Sequence, residues 1–193
     1  RYSALPIYIN RDGRWLLSTS YDQTARLWEV TAADSGSNPA LVERAVLSGH
    51  TWWVWSGAFN PGFNPFDRTA ESLLVTAGQD GKAIVWRIIA AEDGELQALQ
   101  QATFLAHRGP IHGVDISPSG RVATAGSEGR ILLWNINQVP QLSLDEWLSG
   151  TSVNQELTEL RGHLGAVLAV RFSPASELLV SGGRDNAVIA WNT

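Results

Sequence analysis

The stretch Leu160–Asn192, LRGHLGAVLAVRFSPASELLVSGGRDNAVIAWN, decides the reading of this chain because the chain repeats it. It opens on Gly162-His163 and runs through an apolar segment, Ala166–Phe172. A turn at Ser173-Pro174 leads to a second apolar segment, Leu178–Ser181. A tight turn at Asp185-Asn186 then leads to a third, ending at Trp191. The same frame fits three more times. Trp28, Trp86, Trp134 and Trp191 each have an acid six residues earlier: Asp22, Asp80, Glu128 and Asp185. Each acid has a hydroxyl residue four positions before it: Ser18, Thr76, Thr124 and Ser181. Three units open with a histidine: His50, His107 and His163. Coincidences at fixed offsets in four units define a repeat protein, and a repeat settles architecture before any single residue is considered.

The frame resembles the WD40 family of β-propellers, over essentially the whole chain. A Gly-His and a Trp-Asp landmark in a unit of ~40–45 residues, four strands to a blade, is that family's signature. The Trp-Asp dipeptide is degraded throughout, to Trp28-Glu29, Trp86-Arg87, Trp134-Asn135 and Trp191-Asn192. The resemblance implies an all-β propeller of antiparallel four-stranded blades, here about four repeats: blade one over 1–46, blade two over 47–105, blade three over 106–160, and blade four over 161–193, lacking its fourth strand. Relatives usually close with seven blades, which implies a partial propeller cut from a larger protein. The units' spacing points the same way. His107 and His163 precede the turn positions Gly120 and Ser176 by thirteen residues, and thirteen back from Gly13 falls one residue before Arg1.

Strand patterning agrees with that architecture. Third strands such as Ala187–Trp191 are apolar without alternation, as expected where sheets stack on both faces. Val42-Glu43-Arg44-Ala45 alternates, as an outer strand with one wet face should. Expected strands are Leu5–Ile9, Trp15–Ser20, Ala25–Trp28 and Val42–Leu47 in unit one. Unit two has Val54–Phe59, Leu73–Ala77, Ala83–Trp86 and Ala102–Leu105. Unit three has Ile111–Ile116, Val122–Ala125, Ile131–Trp134 and Glu156–Leu160. Pro6 lacks an N–H for the ladder, so the first strand should be irregular or at an edge. Long loops are expected at Thr31–Leu41, Asn60–Glu71, Ala90–Gln100 and Gln138–Asn154. All emerge at one end of an antiparallel blade, leaving one face elaborated and the other trim. Ser143–Leu148 carries a capping-box pattern compatible with one helical turn or an irregular loop.

Composition excludes several classes. The chain has 193 residues, 14 basic and 19 acidic, for a formal net charge of −5. It offers no electrostatic footprint for nucleic acid or an anionic membrane. No cysteine is present, so disulfides and thiolate metal sites are impossible. Apolar runs are strand-sized, far short of the ~18 residues that suggest a membrane span. No secretory signal pattern opens the chain, and a cytoplasmic location is the expectation. Gly78–Lys82 lacks the outer glycine and the hydroxyl residue of a phosphate loop. No nucleophile elbow and no His-Glu-x-x-His are found.

The histidines have a structural account. In the family, matching His, Ser/Thr, Asp and Trp form a hydrogen-bonded tetrad within a blade. The resemblance implies such tetrads at His50-Thr76-Asp80-Trp86, His107-Thr124-Glu128-Trp134 and His163-Ser181-Asp185-Trp191, with Ser18, Asp22 and Trp28 as the incomplete set of unit one. Each buried polar group there can satisfy the next. The extra methylene of Glu128 threatens to carry its carboxylate past the donors. No catalytic, cofactor or metal residue is assigned, and His112 reads as an ordinary strand-start side chain.

The function expected is that of a non-enzymatic scaffold for protein or peptide partners. Nucleic acid and membrane are not expected as partners, and self-association through open blade edges is. The alternative is a sensor or regulatory module of a larger signalling enzyme, because Ser-Pro turns, polar insertions and absent cysteine resemble bacterial WD40 arrays. An enzyme with its site in the channel would need convergent acids and bases that the sequence does not assemble. Binding is expected on the trim face, through Trp52, Trp53, Arg108 and His112 in the entry loops and Tyr21, Gln79 and Arg184 before the turn acids. Aromatics and arginines held by rigid strand ends suit an interface centre. The long loops of the opposite face are polar and look costlier to order.

Overall fold

The computed structural model describes residues 4–31, 38–105, 107–136, 158–174 and 178–193. Four antiparallel sheets follow one another along the chain. The first contains β1 (Ala4–Ile9), β2 (Trp15–Ser20), β3 (Thr24–Thr31) and β4 (Ala40–Ser48). The second contains β5 (Val54–Phe59), β6 (Leu73–Gly78), β7 (Ala83–Ala90) and β8 (Leu96–Phe104). The third is β9 (Ile111–Ile116), β10 (Arg121–Gly126), β11 (Arg130–Asn135) and β12 (Thr158–Arg161). The fourth, with three strands among the described residues, is β13 (Val167–Phe172), β14 (Leu178–Gly183) and β15 (Val188–Asn192). Strand order in each sheet is sequence order, so consecutive strands of a sheet are antiparallel neighbours. No described helix is long and apolar enough to cross a membrane.

Neighbouring sheets pack face to face, the first strand of each against the first and second strands of the sheet before it. Between blades one and two the core joins Trp15, Leu17 and Leu27 to Val54, Leu74 and Trp86. Between two and three it joins Leu73, Val75 and Val85 to Val114, Leu132 and Trp134. Phe104 stacks on Trp134 with ring centroids 4.2 Å apart. Between three and four, Ala123, Ile131 and Leu133 meet Val167, Val170 and Leu179.

The turns between second and third strands share one backbone solution. Gln23, Gly81, Gly129 and Asn186, each directly after its turn acid, all have positive φ, between 61° and 81°. Gly supplies that conformation at little cost, whereas Gln23 and Asn186 adopt it as side-chain-bearing residues. Pro6 lies in a register shift between Ala4 and Ile7 on β1, an outermost strand of its sheet.

Two expected loops are shorter than their sequences suggest. β3 and β4 pair as far as Thr31 with Ala40, and β7 and β8 as far as Ala90 with Leu96. The apolar run Ile88–Ala90 continues the ladder, and Asp93-Gly94 closes it with Gly94 at φ 84°. The fourth strand of blade two therefore begins at Leu96 rather than Ala102. The 60–72 connection is also better held than a polar loop should be. Phe63 is buried between Trp15 and Phe59, with ring centroids 5.9 and 4.8 Å away. Asn10 donates to the Phe63 carbonyl, and Asn60 donates to that of Glu71. Residues 137–157, with the capping-box pattern, lie outside the described residues.

Candidate functional site

The trim face starts from the groups that fix its strand ends. In blade two, His50 Nδ1 lies 3.0 Å from Asp80 and its Nε2 2.9 Å from Thr76 Oγ1, which also accepts the Trp86 indole N–H at 2.8 Å. Blade four has the same chain through His163, Asp185, Ser181 and Trp191, with contacts of 2.8–3.0 Å. In blade three, His107, Thr124 and Trp134 are linked alike, and the longer Glu128 reaches His107 at 2.8 Å. Its methylene does not overshoot the imidazole. A side chain at residue 126 would collide with Glu128 and His107, so Gly126 leaves the space both use. The difference appears instead at the backbone. Asp80 and Asp185 accept the next N–H after the histidine at 2.9 and 2.8 Å, whereas Glu128 accepts that of Arg108 at 3.4 Å. Blade one keeps only the Trp28–Ser18 bond, 2.9 Å, and its Asp22 turns to Thr24 and Arg26.

These contacts set the charges. Burial alone would raise the Asp80 carboxyl, but the His50 hydrogen bond and the N–H groups of Thr51 and Lys82 hold it below the usual range. The His163 bond and the Leu164 N–H hold Asp185 down to about 2. Burial pushes His107 below its ordinary value, with Glu128 opposing, which keeps its imidazole neutral. The carboxylates of blades two, three and four are thus tied inward, and in those blades the turn is clamped to the entry loop of its own blade. Among the described residues no three His, Asp or Glu side chains gather as a metal site would need.

On this clamped frame lies an aromatic and basic stripe. Tyr21 of blade one packs edge-on against Trp53 at 4.8 Å, and Trp53 against Trp52 at 6.2 Å. Trp52 and Trp53 remain 53% and 40% exposed. The Trp53 carbonyl accepts the Gln79 N–H, which fixes the loop to the turn. Farther along, Trp55 stacks on His112 of blade three at 4.6 Å. Burial, then the charge of Arg184 from blade four, lowers the His112 pKa. The Trp55–His112 stack carries the ring contacts from blade two to blade three. Arg108 stands exposed in the blade-three entry loop.

The repeat frame matches one family model, "WD domain, G-beta repeat", at residues 7–29, 42–87, 99–135 and 154–192. The chain belongs to the WD40 repeat family. The ribosome biogenesis protein WDR12 homolog of Chlamydomonas reinhardtii is 29% identical over 197 residues, covering 92% of this chain and 40% of the relative. The small ribosomal subunit protein RACK1 of Neurospora crassa is 30% identical over 170 residues, covering 69% of this chain and 50% of the relative. Mouse striatin-4 is 30% identical over 128 residues, covering 64% and 16%. The chain thus spans half or less of the length of these curated relatives. In fold, it superposes along its whole length on half of a solved U3-55K structure, with a TM-score of 0.68 at 17% identity. These curated relatives are algal, fungal and mammalian, so the expected likeness to bacterial arrays finds no support.

Reasoning from the sequence missed four residues on the opposite face: Tyr8, Arg11, Asp115 and Arg171, which line one central cavity. A signal was available. Asp115 and Arg171 are charged residues inside apolar strands, Val114-Asp115-Ile116 and Val170-Arg171-Phe172, each eight positions after its blade's histidine.

Proposed function

We propose that this chain is a non-enzymatic interaction module that holds a protein or peptide partner on its trim face. The observation that carries this reading is the stripe from Tyr21 through Trp53 and Trp52, continued by the Trp55–His112 stack beside Arg184. Exposed indoles on a pre-ordered frame are strong anchors, because little side-chain or loop entropy remains to be lost on binding. Supporting it, the family includes relatives named for ribosome biogenesis and chromatin assembly. The net charge of −5 favours a protein partner over nucleic acid. Exposed apolar side chains on the outer faces of blades one and four, such as Ile7 and Val188, support self-association as a secondary property.

The test is a photocrosslinking residue placed at position 52 and, separately, at Pro118 on the opposite face. Partner cross-links from position 52, with Trp52→Ala lowering capture and leaving the unfolding midpoint unchanged, support the trim face. Cross-links confined to Pro118 overturn it. Cross-links to RNA alone overturn the partner class.

A further inference from the structure

Strands β1, β5, β9 and β13 line the middle of the arc. Where they run out on the long-loop side they border an open cavity of about 500 Å³. That volume lies within the range of small-ligand sites, which are mostly apolar with a few placed polar groups. Phe59, Phe172, Ile116, Pro61 and Pro118 supply apolar wall, and Tyr8, Arg11, Asp115 and Arg171 supply polar groups.

The polar groups are held in place by contacts between blades. The Tyr8 hydroxyl donates to Ser56 Oγ at 3.2 Å, and the same oxygen accepts the Val114 N–H at 3.2 Å. Arg171 Nη1 donates to the carbonyls of Val114 and Val170 at 3.1 and 2.9 Å. Its guanidinium lies 5.7 Å from the centre of the Tyr8 ring. Asp115 accepts the Phe172 N–H at 2.7 Å. Four blades therefore fix one guanidinium over an aromatic ring at the mouth of one cavity, and a second arginine, Arg11, lines the same mouth.

The other observation is charge pairing. Arg14, Arg26, Arg44, Arg87, Arg130 and Arg161 on the blades each sit within 4.0 Å of a carboxylate. Among the described residues Arg11 and Arg171 have no carboxylate within 4.0 Å, as is also true of Arg68, Arg108 and Arg184, and the charge of Arg171 reaches Asp115 in the same wall. Arg11 and Arg171 stand out from the other arginines without a close carboxylate because both line this apolar-walled cavity, where they can receive an anion. Guanidinium N–H groups suit carboxylate or phosphate oxygens, which can accept two at once.

We infer that this cavity binds a small organic anion, its carboxylate or phosphate group held by Arg171 and Arg11 and its apolar body against Phe59, Phe172 and the prolines. Asp115 sets the limit of the class. A carboxyl in the wall repels a second anionic group, so the ligand carries one charged head rather than a run of phosphates.

Calorimetric and NMR titrations of the full chain with phenyl phosphate, benzoate and neutral benzyl alcohol test this. At least one of the two anions is expected to bind with shifts at Tyr8 and Phe172, at least tenfold more tightly than benzyl alcohol. The stronger of the two anions identifies the head group. Arg171→Gln and Arg11→Gln should each weaken that anion at least tenfold, while Trp52→Ala leaves it unchanged. Arg11 is exposed, so Arg11→Gln keeps the test valid should Arg171→Gln fail to fold. Benzyl alcohol binding as tightly as the anions, anion affinity unchanged in Arg11→Gln, or no binding at millimolar concentration would each overturn the site.

Discussion

Blades two and four have nearly the same sequence pattern and very different environments. In blade two, Leu73, Val75, Ala83 and Val85 are all within 4% of complete burial. By register their counterparts in blade four are Leu178, Val180, Val188 and Ala190. There Leu178 is 41% and Val188 77% exposed. The strands pair alike, and the indole and imidazole hydrogen bonds differ by no more than 0.1 Å. The difference is the neighbour. Blade two has blade three on that face, whereas no described sheet covers the corresponding face of blade four. An apolar strand specifies its own pairing, while its hydrophobic stabilisation depends on what packs against it.

The comparison breaks most visibly in matched truncations. Leu73→Ala should cost about 2–5 kcal/mol, the usual loss for a fully packed core leucine, and Leu178→Ala less than about 1 kcal/mol, as at surface positions. Urea unfolding of the two variants measures both. Equal losses would mean the blade-four face is covered in solution, and a concentration-dependent midpoint would trace the cover to a second copy.

A smaller contrast is expected for the indoles. Trp86→Phe removes the N–H that Thr76 accepts in a dry site and should cost on the order of 1–3 kcal/mol. Trp191 is only partly buried, so water can replace its bond to Ser181, and Trp191→Phe should cost clearly less. Denaturant midpoints of the pair check this.

The pH profile separates blades three and four. Asp185 is held at about 2 against an ordinary 3.8, so its contribution is present above about pH 4 and is lost as pH falls toward 2. The deficit of Asp185→Asn relative to the parent should therefore be full at neutral pH and shrink through that window. His107, also lowered, works higher. Its neutral form stabilises above its ordinary 6.5, and that stability declines as pH falls below it. Thermal midpoints between pH 2 and 8 should show two acid limbs, and His107→Gln should flatten the upper one.

The smallest effect concerns the turns. Asn186→Gly should raise stability by up to about 1 kcal/mol, because glycine relieves a left-handed side-chain-bearing residue. Gly81→Ala should destabilise by more. It adds the same backbone strain and sets a Cβ 3.1 Å from the Gly109 carbonyl of the next blade. Differential scanning calorimetry resolves the signs.

What the chain determines by itself is everything that recurs at fixed offsets: sheet order, the hairpins, and the clamps from His50 to Trp86 and from His163 to Trp191. These groups sit within one blade, and local pairing register brings them together whatever the next blade does. Glu128 shows the limit even there, since its fit depends on the space above Gly126 rather than on its offset. Two charged residues in apolar strands, Asp115 and Arg171, were visible in the sequence, but not that they face one cavity with Tyr8 and Arg11. The stripe across Tyr21, Trp53, Trp55, His112 and Arg184 likewise draws on four different blades. Which side chains meet there is settled by the rotation of each sheet relative to the last. That rotation arises from packing between faces, a property that no single repeat encodes.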